Sequence, residues 1–214
     1  MKKIIAATRN EHKIKEIEAI TGDFGMEIIS RDDAGIPKIE IEEDGKSFEE
    51  NSYKKAFGIM QLCNEITIAD DSGLVVDCLD GAPGIYSARF AAFPGIWPDE
   101  EAGSEDTSDA DNNSKLIRLV SGTPFEERTA RFVSVITMVY PDGETIVARG
   151  EVEGHLVLEE RGCRGFGYDP LFVPLGYDKT FGELSSEIKN SISHRANALK
   201  ELRAKLEKKE MCVE

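Results

Sequence analysis

The chain has 214 residues, of which 40% are hydrophobic and 31% charged, and this size predicts one large domain or two closely joined lobes. A net charge of −15 argues against a general nucleic-acid-binding protein, because such proteins present basic faces to phosphate. No apolar run is long enough for a membrane-spanning helix, and the four widely spaced cysteines favour a reduced, cytoplasmic setting over a disulfide framework or a zinc site.

Hydrophobic spacing and turn residues predict alternating strands and helices at the start of the chain and neighbouring strands in its middle. The predicted strands are Lys3–Ala7, Met26–Ser30, Ile66–Ala69, Arg131–Tyr140, Thr145–Arg149 and Val152–Leu158. The predicted helices are Lys13–Ile20, a second helix from the N-cap Ser47 to Cys63, Ser114–Val120 and His194–Lys209. This order predicts an α/β fold with a mixed twisted sheet and flanking helices, in which residues 1–214 form two lobes around a central substrate cleft.

The segment 93–113 has a different composition from the rest of the chain. It is rich in acidic residues and also contains proline and glycine. Such a bias favours solvation over packing, so the segment is predicted to be a flexible acidic surface loop.

The stretch Asp70-Asp71-Ser72-Gly73 directly follows the predicted strand Ile66–Ala69. Adjacent carboxylates at the end of a buried strand lower stability unless a cation or a reacting group compensates them. The stretch is therefore a candidate metal and general-base site. Aspartate, serine and glycine are also ordinary turn residues after a strand, and a simple turn is the alternative.

A polar turn joins the first predicted strand to the first helix, with the sequence Thr8-Arg9-Asn10-Glu11-His12-Lys13. Backbone N–H groups at a helix N-terminus, together with a lysine ammonium, can cradle a phosphate. The turn lacks the glycines of a Walker loop, so a helix cap with a solvated lysine is the alternative.

Two later segments could recognise a planar ligand. Gly165-Phe166-Gly167-Tyr168-Asp169-Pro170 offers aromatic faces for stacking and a carboxylate for ring N–H groups, or it forms a tight aromatic turn. Ser193-His194-Arg195 places a cation in the first turn of a helix, which is unfavourable unless an anionic or polar group lies nearby. The alternative is a surface arginine, a solvated histidine and, at Lys189, a solvated lysine.

Three acids lie before or within the first turn of the second helix. Glu50 fits a capping box with Ser47, and Glu42 and Glu43 are typical of solvated loop charges. With Asp71 these acids could instead complete a magnesium site, because Mg²⁺ prefers one or two carboxylates together with substrate phosphates and waters.

Together and in this order, these segments resemble the inosine triphosphate pyrophosphatase family, which hydrolyses deaminated purine nucleoside triphosphates such as ITP, dITP and XTP. The resemblance runs nearly end to end and includes Ser47-Phe48-Glu49-Glu50-Asn51-Ser52 with Lys55-Ala56, Ala69–Leu74, Gly81–Arg89, Phe166–Pro170 and Ser193–Arg195. Arg9 stands where many members have glycine, Ser47 and Ser52 replace threonine and alanine, and the acidic loop is longer than usual.

The resemblance implies cleavage between the α- and β-phosphates, Mg²⁺ as cofactor and a homodimer that acts on small purine nucleotides. It assigns Asp71 as general base and metal ligand, with Glu43 or Glu42, and then Glu50, as further ligands. It assigns triphosphate binding to Asn10, Lys13, Lys55 and Ser72, and a place in the substrate site to Thr8, Arg9, Glu11 and His12 of the same polar turn. It assigns base binding to Phe166, Gly167, Tyr168, Asp169, Lys189, His194 and Arg195.

Two other functions stay open at this point. One is a Maf-like nucleotide pyrophosphatase with a different base preference, and the other is a nucleotide-binding protein without turnover. A haloacid-dehalogenase-type phosphatase is disfavoured, because Asp70-Asp71-Ser72-Gly73 lacks the Asp-x-Asp spacing of that family.

Overall fold

The computed structural model describes residues 2–39, 41–97 and 106–211. Its strands are β1 (Lys2–Ala6), β2 (Met26–Ser30), β3 (Thr67–Val76), β4 (Thr129–Val139), β5 (Thr145–Leu156) and β6 (Phe172–Pro174). Its helices are α1 (Glu11–Thr21), α2 (Phe48–Cys63), α3 (Asp109–Val120), α4 (Ser186–Ile192) and α5 (His194–Met211). A 3-10 segment, Gly84–Ala92, follows β3.

The strands form one mixed sheet in the order β2-β1-β3-β4-β5-β6. β1 pairs in parallel with both β2 and β3, whereas β5 and β6 are antiparallel. The predicted turn between β4 and β5 is present, with the N–H of Gly143 donating to the carbonyl of Tyr140 at 2.9 Å. The prediction of a mixed α/β fold with flanking helices is therefore confirmed.

The predicted strand Ile66–Ala69 is too short. β3 continues to Val76, so Asp70 and Asp71 lie inside a strand and not in a turn after it. The sequence prediction ended the strand where the hydrophobic residues end. In the structure the strand and its buried positions continue through the two polar aspartates. The turn alternative for these residues is wrong.

Other boundaries also differ from the sequence predictions. The strands predicted at Thr145–Arg149 and Val152–Leu158 are one strand, β5. α3 begins at Asp109, ahead of the predicted Ser114, because the side chain of Ser108 caps it. The predicted loop 93–113 therefore gives way to helix at its C-terminal end. Residues 98–105 lie outside the described part of the chain, so the flexibility of the loop stays a prediction.

The chain divides into two compact units, each made of several chain segments. The first unit comprises Met1–Asp71, Ser134–Gly150 and Ser193–Glu214, and the second comprises Ser72–Val133 and Glu151–Ile192. The boundary on β3 falls directly after Asp71. A substrate cleft stays a prediction.

Successive side chains of β1 enter two different hydrophobic clusters of the first unit. Ile4 joins the α1/α5 cluster, which includes Ile17 and Leu199. Ile5 joins the α2 cluster, which includes Ile59. Because neighbouring residues of a strand point to opposite faces of a sheet, α1 and α5 cover one face of this unit's strands and α2 covers the other.

The second unit is built around aromatic side chains. The ring centre of Phe172 lies 4.8 Å from that of Phe132 and 5.3 Å from that of Phe181. Leu116 of α3 and Tyr168 are buried in the same cluster. The side chain of Tyr168 therefore ties the turn Gly165–Pro170 to the core of this unit.

No helix among the described residues is both long enough and apolar enough to cross a membrane. Cys63, Cys78 and Cys163 are free thiols, and Cys212 lies outside the described residues.

We predict that Gly150→Ala destabilises the protein. A Cβ on Gly150 would lie 2.1 Å from the backbone nitrogen of Ala198 in α5, and backbone cannot move aside as a side chain can. Overpacking of this kind lowers the free energy of unfolding by about 2 to 3 kcal/mol, measurable by urea denaturation. Gly122→Ala is the control, because a Cβ there meets nothing within 4 Å. Equal unfolding free energies for the two variants would contradict the close packing of β5 on α5.

Candidate active site

β3 places Asp70 and Asp71 on opposite faces of the first unit's strands. Ile68 belongs to the α1/α5 cluster and Ala69 to the α2 cluster. Continuing this alternation directs Asp70 towards α1 and α5, and Asp71 towards α2. Asp70 accordingly contacts cations of α1 and α5, whereas Asp71 contacts a cation of α2.

Asp70 is a buried carboxylate with several partners. Its Oδ2 lies 2.9 Å from Arg195 Nη2 and 2.8 Å from Lys13 Nζ, and its Oδ1 accepts a hydrogen bond from Ser134 Oγ at 2.5 Å. Arg195 also pairs with Glu16 through Nη1. Burial alone would raise the pKa of Asp70, but Arg195 and Lys13 hold it well below its usual range. Asp70 therefore stays ionised at neutral pH and joins two helices to β3.

Asp71 has a different environment. Its Oδ1 accepts from Lys55 Nζ at 2.6 Å, while its Oδ2 is buried without a hydrogen-bond partner among the described residues. Burial raises the pKa of Asp71 above its ordinary value of 3.8, although Lys55 acts in the opposite direction. A carboxylate with a raised pKa and one unpaired oxygen is suited to accept a proton or to bind a cation.

The segment before α2 folds back along the first turns of that helix. Lys55 Nζ, which holds Asp71, also lies 3.1 Å from Glu43 Oε2. Lys54 Nζ lies 2.5 Å from Asp44 Oδ1. Consecutive lysines of α2 thus hold consecutive acids of this segment, and Glu43 shares one ammonium with Asp71.

Asn51 and Gly45 fix the backbone of the same segment. The N–H of Gly45 donates to Oδ1 of the fully buried Asn51 at 2.9 Å. A Cβ on Gly45 would lie 2.5 Å from that oxygen, so a side chain at this position would push the two groups apart. The carboxylate of Glu43 therefore projects from a backbone held in place by α2.

Glu50 and Glu42 do not share this arrangement. Glu50 accepts from the backbone N–H of Lys46 at 2.7 Å and donates its own N–H to Ser47 Oγ at 3.1 Å, which confirms Ser47 as N-cap. All three acids are exposed, so it is the contact with Lys55 that distinguishes Glu43. Of the three acids proposed from the sequence, Glu43 is the one that the described contacts bring to Asp71.

Asp71 and Glu43 fit a Mg²⁺ ion. One oxygen of Asp71 is buried and unpaired, and Glu43 reaches the same ammonium as Asp71. Within residues 2–39, 41–97 and 106–211, no group of three or more His, Cys, Asp and Glu side chains is arranged to hold a metal. A pair of carboxylates suffices, because Mg²⁺ usually keeps several waters and binds substrate phosphates directly.

The polar turn before α1 forms a helix cap. Asn10 Oδ1 accepts from the N–H groups of His12 and Lys13 at 3.0 and 3.1 Å, and Thr8 Oγ1 accepts from the N–H of Asn10 at 3.1 Å. Two of the amides predicted to cradle phosphate are therefore used by the cap. Lys13 is not a solvated lysine, since its ammonium contacts Asp70.

The remaining predicted phosphate residues lie nearer the surface. Arg9 Nε is 3.9 Å from Asp32 Oδ1, and Glu11 pairs with Lys15 at 3.5 Å. Ser72, directly after Asp71 on β3, is half-buried. Contacts of these residues with phosphate stay predictions.

Arg195 and His194 are buried at the start of α5. The alternative of a surface arginine is therefore wrong. A cation in the first turn of a helix is unfavourable unless an anion lies nearby. Here the anions are the carboxylates of Asp70 and Glu16. Arg195 belongs to the first unit and the aromatic turn to the second, so direct contact between Arg195 and a base stays a prediction.

The turn Gly165–Pro170 is organised by a buried ion pair. Asp169 Oδ2 accepts from Lys189 Nζ at 2.6 Å and from the N–H of Phe166 at 2.9 Å. Gly165 leaves room for this carboxylate, because a Cβ there would lie 1.9 Å from Asp169 Oδ2. The ammonium of Lys189 lies 5.0 Å from the ring centre of Phe166, so Lys189 is not a solvated lysine.

Tyr168 cannot offer a face for stacking in this structure. Its ring is buried in the core of the second unit, and its hydroxyl donates to the carbonyl of Ser87 at 2.8 Å. Burial also raises the pKa of Tyr168 above its ordinary value. The expectation of two stacking aromatics is corrected to one, because only Phe166 of this pair is partly exposed.

Several residues of these arrangements were not singled out from the sequence. Glu16 lies three residues after Lys13 on α1, so helical spacing gave a signal that the two share a face. Ser134 lies two residues before Ile136 on β4, so strand alternation placed it on the α1/α5 side. Asn51, within the second helix, carried no charge that would have drawn attention to it.

A family model described as the Ham1 family matches residues 4–205 of this chain. The chain belongs to the Ham1 family. This confirms the family resemblance predicted from the sequence motifs. A Clostridium perfringens protein named dITP/XTP pyrophosphatase is 47% identical to this Ham1-family chain over 212 residues, which is 96% of this chain and 98% of that protein.

Solved structures agree with this assignment. The Staphylococcus aureus Ham1 protein is 40% identical and superposes with a TM-score of 0.79, covering 97% of this Ham1-family chain and 100% of the other. A Mycobacterium abscessus structure named nucleoside-triphosphatase, dITP/XTP pyrophosphatase, is 38% identical with a TM-score of 0.71, covering 94% and 98%. The Ham1 fold therefore extends over nearly the whole chain.

We predict that Asp70→Asn destabilises the protein, because the buried Arg195 would keep only Glu16 among its described counter-ions and Lys13 would lose its ion pair with Asp70. Removing one partner of a buried pair lowers the free energy of unfolding by about 3 to 5 kcal/mol. Since the folded-state pKa of Asp70 lies below its ordinary value of 3.8, its stabilisation is complete above that value and is lost as the pH falls further. Urea denaturation at neutral and acidic pH measures both effects.

The control for this prediction is Asp44→Asn, which removes an exposed carboxylate paired with Lys54 and should change stability little. If Asp70→Asn matched the wild type at neutral pH, the anchoring role of Asp70 would be wrong.

Proposed function

We propose that the chain hydrolyses deaminated purine nucleoside triphosphates, namely ITP, dITP and XTP, to the nucleoside monophosphate and pyrophosphate. The observation that carries the proposal is the grouping of Asp71 and Glu43 around the ammonium of Lys55, with an unpaired oxygen on Asp71. Family membership and the names of the relatives support the reaction and the substrate class. This reaction would remove non-standard purine nucleotides from the nucleotide pool.

Asp71 acts as the general base. Its burial raises its pKa above the ordinary value of 3.8, towards that of an effective base. Lys55 orients the carboxylate through Oδ1 and leaves Oδ2 for the proton of an attacking water. Phosphoryl transfer depends mainly on such positioning and on charge neutralisation.

Asp71 and Glu43 hold Mg²⁺ in this proposal. When bound, the ion neutralises charge on the triphosphate and polarises the phosphorus that is attacked. Lys55 holds the two carboxylates together in the absence of the ion, so its ammonium offsets their mutual repulsion. Glu50 serves the helix cap instead.

The triphosphate is bound by cations and donors of the first unit, with Ser72 at the start of the second. Lys13 and Lys55 supply positive charge, and both are already oriented by aspartates of β3. Asn10 can donate through its Nδ2 while its Oδ1 caps α1.

Phe166 stacks on the purine, and the pair Lys189–Asp169 holds the turn that carries it. We further propose that donors of His194 or Arg195 act at the 6-oxo oxygen, where adenine would present an amine. A site that leaves a buried polar group unpaired with the wrong base discriminates strongly. The chain is also proposed to be cytoplasmic and to form a homodimer; light scattering on purified protein would test the dimer.

We predict that Asp71→Asn abolishes most pyrophosphate release from dITP. Loss of a general base lowers kcat by about 10² to 10⁴, and thermal unfolding checks that the variant is folded. Glu65→Gln, which changes an exposed carboxylate of the same unit, serves as the control. Full kcat in Asp71→Asn would exclude the assigned base.

A wild type that prefers dTTP or UTP over dITP and XTP would instead indicate a Maf-like enzyme. Binding of these nucleotides without release of pyrophosphate would indicate a non-catalytic protein.

We predict that Glu43→Gln weakens Mg²⁺ binding whereas Glu42→Gln leaves it unchanged. Only Glu43 shares an ammonium with Asp71 among the described contacts, so its loss should raise the half-saturating Mg²⁺ concentration about tenfold or more. Isothermal titration with Mg²⁺ measures this without turnover. An equal effect of the two substitutions would contradict the choice of Glu43.

A further inference from the structure

The first turns of α3 hold both backbone polar groups of Gly167. Its N–H donates to Asp109 Oδ2 at 2.6 Å, and its carbonyl accepts from Asn113 Nδ2 at 3.2 Å. Asn113 is buried, whereas Asp109 is exposed. Asp109 and Asn113 belong to the segment that the sequence presents as an acidic loop, and the proposed chemistry leaves them without a role.

This clamp bears directly on Phe166. The N–H of Phe166 is held by Asp169 at 2.9 Å, and the next residue, Gly167, is held by α3 through both its N–H and its carbonyl. Gly167 has a φ of 61°, which lies in the left-handed region. A glycine also adopts other backbone conformations easily, so its own φ preference does not fix the chain here. Without the clamp, the backbone on the C-terminal side of Phe166 would lose two of the hydrogen bonds that orient it.

α3 is itself firmly attached to the second unit. The buried ammonium of Lys115 donates to the carbonyls of Phe90, Phe93 and Gly95 at 2.6 to 2.7 Å. Asn112 adds a bond from the N–H of Ala91 to its Oδ1 at 2.8 Å. A helix held in this way can act as a fixed support for the turn that it clamps.

We propose that Asp109 and Asn113 are positioning residues for purine recognition, which they support by fixing Gly167 and thereby the orientation of Phe166. The inference rests on the proposed function, because it takes Phe166 as the surface on which the base stacks. Stacking is tighter when the plane of the Phe166 ring is fixed before the ligand binds. If the ring can take other orientations, a smaller fraction of the protein is competent to bind and the apparent Kd rises.

The test compares the binding of IMP, which carries the base, with that of inorganic pyrophosphate, which does not. Asp109→Ala removes the acceptor, Asp109→Asn keeps one, and Asp111→Ala changes a neighbouring exposed acid that bonds only to Ser108 in the described contacts. Isothermal titration gives both Kd values for each folded variant, and Asn113→Ala provides a second route to the same loss.

Asp109→Ala should raise the Kd for IMP about tenfold, whereas Asp109→Asn and Asp111→Ala should leave it within about twofold. The Kd for pyrophosphate should stay unchanged in every variant. Unchanged IMP affinity in Asp109→Ala, or a parallel loss of pyrophosphate affinity, would overturn the inference. Failure of the proposed function gives a different result, because the wild type itself would then not release pyrophosphate from dITP.

Discussion

The buried ion pair between Asp70 and Arg195 is the constraint on which the first unit's site depends. Both side chains are fully buried, so loss of either partner would leave the other charge out of water with one counter-ion fewer. Among the described contacts, Arg195 would then keep only Glu16, and Asp70 only Lys13. Arg195 belongs to α5 and Lys13 to α1, and one carboxylate of β3 therefore joins both helices to the sheet. Strand alternation then directs Asp71 to the opposite face, where Lys55 of α2 meets it. One strand register thus gives two adjacent aspartates different partners and different roles.

The second unit uses the same physical device for a different purpose. Lys189 and Asp169 form a buried pair whose carboxylate also holds the backbone of Phe166. In both units the paired aspartate positions a neighbouring residue and leaves that neighbour available for a ligand. Asp71 is the available residue in the first unit and Phe166 in the second. Charges that resemble catalytic groups in the sequence, such as Asp70 and Asp169, are structural in these contacts.

Much of the fold and of the site could be predicted from the sequence, because periodicity and capping act locally. The capping residue Ser47 and the long α5 follow from patterns within a few residues, whereas the grouping of Asp71 with an acid near α2 is indicated by the family resemblance. The extent of β3 could not be predicted, because polar aspartates within a buried strand are tolerated only through cations far away in the chain. The burial of Tyr168 and the clamp of α3 on Gly167 likewise depend on partners remote in sequence.

The opposite titration of Asp70 and Asp71 is the central claim, and side-chain carboxyl ¹³C chemical shifts measure it directly. We predict that Asp71, assigned through Asp71→Asn, titrates above the ordinary value of 3.8, because burial is the largest influence on it. Asp70 should keep the shift of an ionised carboxylate below 3.8 for as long as the protein stays folded, because Arg195 and Lys13 stabilise its charge. Titration of Asp70 at or above the midpoint of Asp71 would contradict the assignment of the two residues.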